Sequence, residues 1–441
     1  MHVGAEPAVC VGLIEGLPRI EFELEGAYLL EGRRLSAGRY SVSVRNGGLV
    51  FRNSSGTVAA EGKRLHFVPA ASDAGSFTLL QVAIGRHFHW ERFQDQQFHG
   101  ELICETFDSE TITVINSLPL ERYLEAVICS EMNPRSPLHF LKAHCVISRG
   151  WLLAQIQRKR LQLTSGAFVN GSWTDAGIHE HFDVCADDHC QRYHGFGRVN
   201  AAALDALTGT RGEVLTCGGE ICDTRFSKCC GGITERFSTA WDDRDISYLQ
   251  PVPDCAEESD HHLDPVAGEE DAVRFIRSRP RVYCNVTDRE LLSCILPDFD
   301  RETRDFFRWE VSCSQEELGG ILMEKTGHDF GGIRHIGPRA RGPSGRIWKL
   351  HIAGEKMERT FGKELEIRRI LSPTHLYSSA FVVEPYGTKS AVPAGFRFMG
   401  AGWGHGVGLC QIGAAAMASQ GYDYKTILTH YFKGAVLKRL Y

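Results

Sequence analysis

The stretch "ICSEMNPRSPLHFLKAHCVISRG", Ile128–Gly150, decides how this chain is read. An apolar approach, Val127–Ile128, runs up to a lone carboxylate, Glu131. Ser136 then precedes Pro137, which marks a helix start. A serine side chain can cap the first turn, and a proline there gives up an N–H that has no intrahelical partner anyway. Leu138, Leu141, Cys145, Leu152 and Ile156 continue one apolar face of the predicted helix. Lys142 and Arg149 are seven residues apart, so they share a second face, about 100° round from Leu141.

Upstream of this stretch, "LPLERYLEAVI" predicts another helix, with Leu120, Leu124 and Val127 on one stripe. Its Glu121 and Glu125 are expected to face water. Further upstream the chain turns β-rich. "RIEFELEGAYLL", "GRYSVSV", "GLVFR", "FTLLQVAI" and "ITVINSL" are short β-prone runs, most of them divided by Gly, Asn and Ser turns. Downstream, residues 165–200 are irregular and rich in His, Asp and Cys. Strand-like runs return at "GEVLTC" and "EICDTRFSKC". Residues 255–330 are charged and mainly helical in pattern, as in "EEDAVRFIRS" and "SQEELGGILMEK". "GRIWKLHIAG" reads as a strand, while "ELEIRRIL" fits a short helix or a strand equally. The end of the chain is a glycine-rich loop and two helices, the first stopping at Gly421 and the second capped by Asp423. The fold class is therefore α+β. A β-rich N-terminal module, 1–105, is followed by a larger mixed α/β region, 106–441, with 255–330 as a charged helical segment inside it.

The 441 residues are enough for two or three domains. Hydrophobic content of 43% and charged content of 24% suit a soluble chain with a large core. A net charge of −6 argues against nucleic acid as a partner, because a phosphate backbone calls for a basic footprint. The N-terminus lacks the basic start and apolar run of a secretory signal, and no stretch approaches the length of a membrane span. With fifteen cysteines and no signal, the expectation is reduced thiols and a metal site rather than a disulfide framework.

"HEHFDVCADDHC", His179–Cys190, is where such a site belongs. Two thiolates and two imidazoles in a tetrahedron are a common structural zinc set. Cys185, His189 and Cys190 can be presented by one tight loop, and His179 or His181 can close it. Asp183, Asp187 and Asp188 are placed to orient the imidazoles. The competing reading is a polar surface loop with reduced cysteines. Cys229–Cys230 is a vicinal pair that fits either a small buried hydrophobe role or a second site with Cys217 and Cys222.

Glu131 has no partner acid close by. A hydrolysing glycosidase uses two carboxylates on opposite sides of the bond. A lytic transglycosylase works with one, which protonates the leaving oxygen and then takes a proton from the sugar's own hydroxyl. That acid has to be protonated at rest, which an apolar surrounding favours. Lys142 and Arg149 are candidates to bind substrate carboxylates or a carbonyl. A capping or salt-bridging glutamate is the structural alternative. In "GAGWGHGVGLCQIGA", 400–414, alternate glycines let the backbone approach a neighbour closely. Trp403 would offer a sugar-stacking face and His405 a donor. A tight turn that packs Trp403 inward fits the same residues.

Four stretches, taken together, resemble the SpoIID/LytB family. They are "LERYLEAVICSEMNPRSPLHFLKAHCVISRGW", "FSKCCGGITE", "RGPSGRIWKLHIAG" and "GAGWGHGVGLCQIGAAAMASQGYDYKTILTHYF". The resemblance implies a peptidoglycan lytic transglycosylase that cuts MurNAc–GlcNAc bonds and leaves 1,6-anhydro ends. By position it implies Glu131 as the single acid and base, and Lys142, Arg149, Trp403, His405 and Gln411 as substrate-binding residues. It also implies a structural zinc on His179, Cys185, His189 and Cys190. The substrate would be glycan strands, with an amidase as partner in a cell-envelope setting. Some relatives are described as enhancers of an amidase, so a non-catalytic glycan-binding protein is the alternative. The chain departs from the pattern at Cys410, where the family often has serine, and at Cys229–Cys230.

Overall fold

The computed structural model describes residues 4–71, 75–84, 92–160, 179–187, 189–256, 263–266, 268–302, 306–387 and 391–441. Helices and many sheets are both present, so the fold is α+β as expected. The backbone forms two compact units. Of the described residues, the first holds 4–160, 179–214 and 438–441, and the second holds 215–437. Residue 105, the expected end of the N-terminal module, lies inside the first unit.

The first unit is built on two sheets. One has seven strands in the order Val184–Cys185, Ala8–Leu17, Ile112–Pro119, Glu101–Glu105, Arg64–Pro69, Tyr28–Leu30 and Arg33–Leu35. The other has six, in the order Arg92–His99, Ser76–Ile84, Arg19–Glu25, Gly38–Arg45, Gly48–Asn53 and Val58–Gly62. The period of two in "RIEFELE" buries Ile20, Phe22 and Leu24 and leaves the glutamates on the other face. The two sheets meet through aromatic rings. Phe67 of the first sets its edge against Phe22 and Phe51 of the second, with centroids 5.4 and 5.1 Å apart. Edge-to-face contact suits the ring quadrupoles and fastens one sheet to the other.

Ile112–Pro119 is covered on both faces and carries a buried polar group, Asn116. The Asn116 amide donates to the carbonyls of His99 and Glu101, and its oxygen accepts the Tyr193 hydroxyl at 2.6 Å. Every polar atom of that side chain is therefore satisfied. At Pro119 the chain turns straight into helix α1, Leu120–Glu131, which ends at the extended residue Met132. Helix α2, Leu138–Arg160, has buried residues all round it from Phe140 to Ile156. A helix enclosed on every side belongs inside its unit. The apolar stripe expected for it is part of this wider buried surface, and Leu138 at its start is exposed. Helix α3, Ala201–Gly209, is capped by the Asn200 side chain on the Ala203 N–H.

In the second unit, strand Gly395–Ala401 lies between Arg308–Ser314 and Phe381–Tyr386. A second small sheet joins Ile333–Arg341, Ile347–Gly354 and Glu358–Phe361. These sheets share one core with helices Gln315–Thr326 and Glu364–Ile370, through Leu318, Leu322, Leu350, Ile367 and Phe398. "ELEIRRIL" is thus a helix. The stretch "EICDTRFSKC" is mostly loop, with only Glu220–Ile221 and Phe226–Ser227 in strands. Among the described residues no helix is long and apolar enough to cross a membrane.

Candidate active site and metal-binding loop

The histidine–cysteine loop is seated on the edge of the seven-stranded sheet. Val184–Cys185 pairs in parallel with Ala8–Leu17. The Asp183 N–H donates to the Cys10 carbonyl at 2.8 Å, and the Cys10 N–H donates back to the Asp183 carboxylate at 2.9 Å. Asp183, expected to orient an imidazole, fastens the loop to the sheet. Asp188 lies outside the described residues. Phe182 anchors the loop against Ile103 and Ile115. It lies over Gly12, where a Cβ would come within 2.4 Å of the Phe182 ring, so only glycine leaves room for the anchor.

Seated this way, His179, Cys185, His189 and Cys190 each bring a ligand atom within 4.8 Å of the others. Cys190 Sγ lies 3.4 Å from His179 Nε2 and 3.5 Å from His189 Nδ1. A zinc tetrahedron with ordinary Zn–S and Zn–N bonds has an S–N edge of about 3.6 Å. Donor set and spacing both fit one tetrahedral ion. The choice between His179 and His181 falls to His179, because the His181 ring stacks on Phe107 with centroids 3.4 Å apart. The Cys190 thiol, with His179 and His189, holds the Cys185 thiol well below its ordinary pKa. A thiolate is the form that binds metal.

The chain leaves this loop at Cys190 and runs along α1. The Gln191 side chain accepts the Tyr123 hydroxyl at 3.2 Å, and the Tyr193 ring stacks on Tyr123 with centroids 5.0 Å apart. The Arg192 N–H donates to Glu131 Oε1 at 2.9 Å, and the His194 N–H donates to Ser130 Oγ at 3.1 Å. Glu131 is enclosed, at 8% exposure. The carboxylate at the end of α1 is therefore held by a backbone N–H only two residues beyond a metal-ligand candidate.

Lys142 is half-buried on α2 and lies beside Gly209, the last residue of α3, where a Cβ would sit 3.3 Å from its Nζ. A cation there complements the negative end of the helix dipole. Arg149 differs from its expected role. It is fully buried, and its Nε and Nη2 donate to the two carboxylate oxygens of Glu121 at 2.9 and 2.7 Å. Its Nη1 donates to the Glu213 carbonyl at 2.9 Å. Glu121, expected to face water, is 7% exposed and also accepts the Tyr441 hydroxyl and the Gly212 N–H. The physical reason is the burial of α2: an arginine on an enclosed helix needs a counter-charge inside, and Glu121 supplies it.

Residues 108–217, which carry Glu131, Lys142, Arg149 and the histidine–cysteine loop, match the family model described as Stage II sporulation protein, SpoIID. This segment is a SpoIID domain. A protein named Stage II sporulation protein D from Bacillus amyloliquefaciens is 22% identical across 73% of this chain and 74% of its own length. An uncharacterized protein of Brachyspira hyodysenteriae (strain ATCC 49526 / WA1) is 25% identical across 77% of this chain and 71% of its own. Residues 235–408 match a domain of unknown function, DUF8618. The match over residues 108–217 supports a cell-wall-related function.

Beyond the SpoIID domain, the other three quoted stretches meet inside the second unit. The Arg346 guanidinium is fully buried and donates to the Gly404 carbonyl, the Cys230 carbonyl and Ser344 Oγ. It passes so close to Gly406 that a Cβ there would lie 2.4 Å from its central carbon. Buried Glu235 accepts the Ser344 hydroxyl and N–H from the other side. Gly406 thus admits a guanidinium, while Gly402 and Gly408 admit the backbone of Cys229–Cys230 and of Arg225. Trp403 is half-buried, stacked on Phe306 and edge-on to Tyr377, each with centroids 5.0 Å apart. His405 Nδ1 accepts the Val407 N–H at 3.0 Å, and its ring meets Trp241. Burial, with Arg225, Arg346 and Arg368 nearby, holds His405 well below the usual histidine range and so neutral. Gln411 is buried as the first residue of helix Gln411–Ser419. These three candidates belong to the second unit and Glu131 to the first. The roles of Arg346 and Glu235 were missed, although both lie in the quoted stretches.

Proposed function

We propose that the chain is a peptidoglycan lytic transglycosylase that cuts between N-acetylmuramic acid and N-acetylglucosamine, with Glu131 as its single acid and base. The observation that carries this reading is the Arg192 N–H on Glu131 Oε1, which fixes an enclosed carboxyl at the end of α1. The carboxyl gives its proton to the glycosidic oxygen as the bond from C1 breaks. As a carboxylate it then takes the proton of the muramic acid 6-hydroxyl while that oxygen closes on C1. Water is not consumed, and the product ends in a 1,6-anhydro ring.

His179, Cys185, His189 and Cys190 hold a structural zinc in this reading. Four protein groups close the coordination shell, so no place remains for a catalytic water. The ion's contribution is a crosslink; the loop residues, through the Arg192 N–H, position the carboxyl. Lys142 is the candidate to meet a substrate carboxylate or carbonyl. The substrate is glycan stripped of stem peptides, which makes an amidase the working partner and the cell envelope the place of action.

The test is digestion of purified denuded glycan by the wild type and by Glu131→Gln, with zinc content and melting temperature measured on both. The expected result is anhydro ends from the wild type and none from a folded, zinc-loaded variant. Unchanged product from the variant removes Glu131 from the chemistry. No product from the wild type, together with glycan retention and amidase stimulation, points instead to a glycan-binding enhancer.

A further inference from the structure

The second unit contains a group of thiols that the glycosidase chemistry does not use. Cys230, Cys284 and Cys410 come together with Asp254, with one ligand atom from each within 4.8 Å of the others. Asp254 and Cys410 are 0% exposed, and Cys230 and Cys284 are 2% exposed. The four arrive from separate parts of the chain. Cys410 lies on the short strand Leu409–Cys410, which pairs with Phe226–Ser227 just ahead of Cys230. The Cys284 N–H donates to Asp254 Oδ2 at 2.8 Å and joins the other two.

We propose that these four side chains form a second metal site, taking one thiophilic divalent ion such as zinc. Geometry comes first. The Cys230 and Cys284 sulfurs are 3.7 Å apart. A tetrahedral ion with Zn–S bonds near 2.3 Å has an S–S edge of about 3.8 Å, whereas a disulfide bond is near 2.05 Å. The cysteines are free. The space between ligand atoms suits a single ion and not a cluster with its own sulfides.

The surroundings are those of metal-bound thiolates. The Cys230 N–H points at Cys410 Sγ at 3.2 Å, and the Gly232 N–H points at Cys230 Sγ at 3.4 Å. The Tyr431 hydroxyl donates to Asp254 Oδ1 at 2.6 Å and orients the carboxylate. Outer hydrogen bonds of this kind fix ligand direction. Gly413 keeps the place open, since a Cβ there would lie 2.4 Å from Asp254 Oδ1. The Arg308 guanidinium, bonded to the Gly231 carbonyl, brings positive charge to the neighbourhood. Asp254 is fully buried, and a buried carboxyl is costly without a partner of opposite charge. A dication relieves that cost. Cys229 also faces Cys284 and Cys410, but its sulfur is outside the set of four.

With four protein ligands the ion would be structural. It would clamp the end of the glycine-rich loop, at Cys410, to the Cys230 segment and to the 254–284 connection. This inference is independent of how Glu131 works. It also gives Cys410 a reason to stand where the resembling signature often has serine, because serine is a poor ligand for such an ion.

The test uses the full chain, purified under reducing conditions with zinc, and counts metal per chain. Cys284→Ser and Cys410→Ser are each expected to hold one ion fewer than the wild type. Full metal content in both variants overturns the proposal. A second measurement avoids any variant at the site itself. Cys185→Ser, with its own loop ligand removed, is loaded with cobalt and its absorption recorded. A thiolate-to-cobalt charge-transfer band with tetrahedral visible bands is expected. Absence of that band, or an intact mass showing a Cys230–Cys284 disulfide in the metal-treated protein, sinks the proposal.

Discussion

Replacing Arg149 by methionine would leave the Glu121 carboxylate buried without its main counter-charge. The change removes two charge-assisted hydrogen bonds to Glu121, at 2.9 and 2.7 Å, and the bond to the Glu213 carbonyl. Removing one partner of a buried ion pair costs about 3–5 kcal/mol. Tyr441 and Gly212 still donate to Glu121, which puts the expected loss near the lower end, about 3 kcal/mol. For a unit of this size that lowers the melting temperature by about 6–12 °C. Burial pushes the Glu121 carboxyl up, but Arg149, the Tyr441 hydroxyl and the Gly212 N–H outweigh it and leave the group below its ordinary value. A carboxylate depressed in the folded state contributes stability above its unfolded pKa and loses it as pH falls through the folded one. The gap between wild type and variant should therefore be widest at neutral pH and shrink as pH falls, because the variant's buried carboxyl takes up its proton before the wild-type one does. Urea unfolding at several pH values reads it. Adding Glu121→Leu to the variant should restore most of the loss, because an apolar pair replaces a charged one at little cost. A loss under about 1 kcal/mol, well short of a broken buried pair, or a gap that does not change with pH, refutes the structural reading of Arg149. Weakened glycan binding at unchanged stability would return it to the substrate site.

Three further outcomes are expected. Gly12→Ala drives a Cβ into the Phe182 ring and should cost about 1–3 kcal/mol, with zinc affinity falling as the loop lifts, read by unfolding and metal titration. Cys190→Ser should lose one zinc and most glycan cleavage while α1 and the sheets keep their circular dichroism, since the loop that carries the Arg192 N–H is loosened. His405 should titrate, by NMR, well below the usual histidine range and so be neutral at physiological pH. Because its folded pKa is depressed, its contribution to stability is full above the unfolded histidine value and declines as pH falls below about 6.5.

What could be read from the sequence was local. The strands around Phe22, the two helices flanking Glu131, the Asp423 cap and the grouping of Cys185, His189 and Cys190 with a histidine all depend on spacing within one segment. The errors were non-local. Glu121 follows a strand and starts a helix, and nothing within its own turn tells that Arg149, 28 residues on, will be buried beside it. "GAGWGHGVG" signals close backbone approach, but the group that approaches is Arg346, some sixty residues upstream and in a separate motif. A site shared with Cys217 and Cys222 is one of two readings of Cys229–Cys230, beside that of small buried hydrophobes. Cys222 is buried elsewhere and Cys217 meets Ser247, while Cys230 is joined by Cys284 and Cys410. Their spacing in sequence follows no metal motif, so only the fold brings them together. Glu131 itself was visible as a carboxylate at the end of an apolar run. Its tether to Arg192 was not, because the two residues are 61 positions apart.

The most direct measurement of the central claim is mass spectrometry of glycan cut by the wild-type protein in water enriched in heavy oxygen. If Glu131 passes one proton to the leaving sugar and takes another from the muramic 6-hydroxyl, the new ends are lighter by one water and carry no heavy oxygen. Reducing ends that have gained the label would mean that water attacks the sugar, and the single-carboxyl account would be wrong.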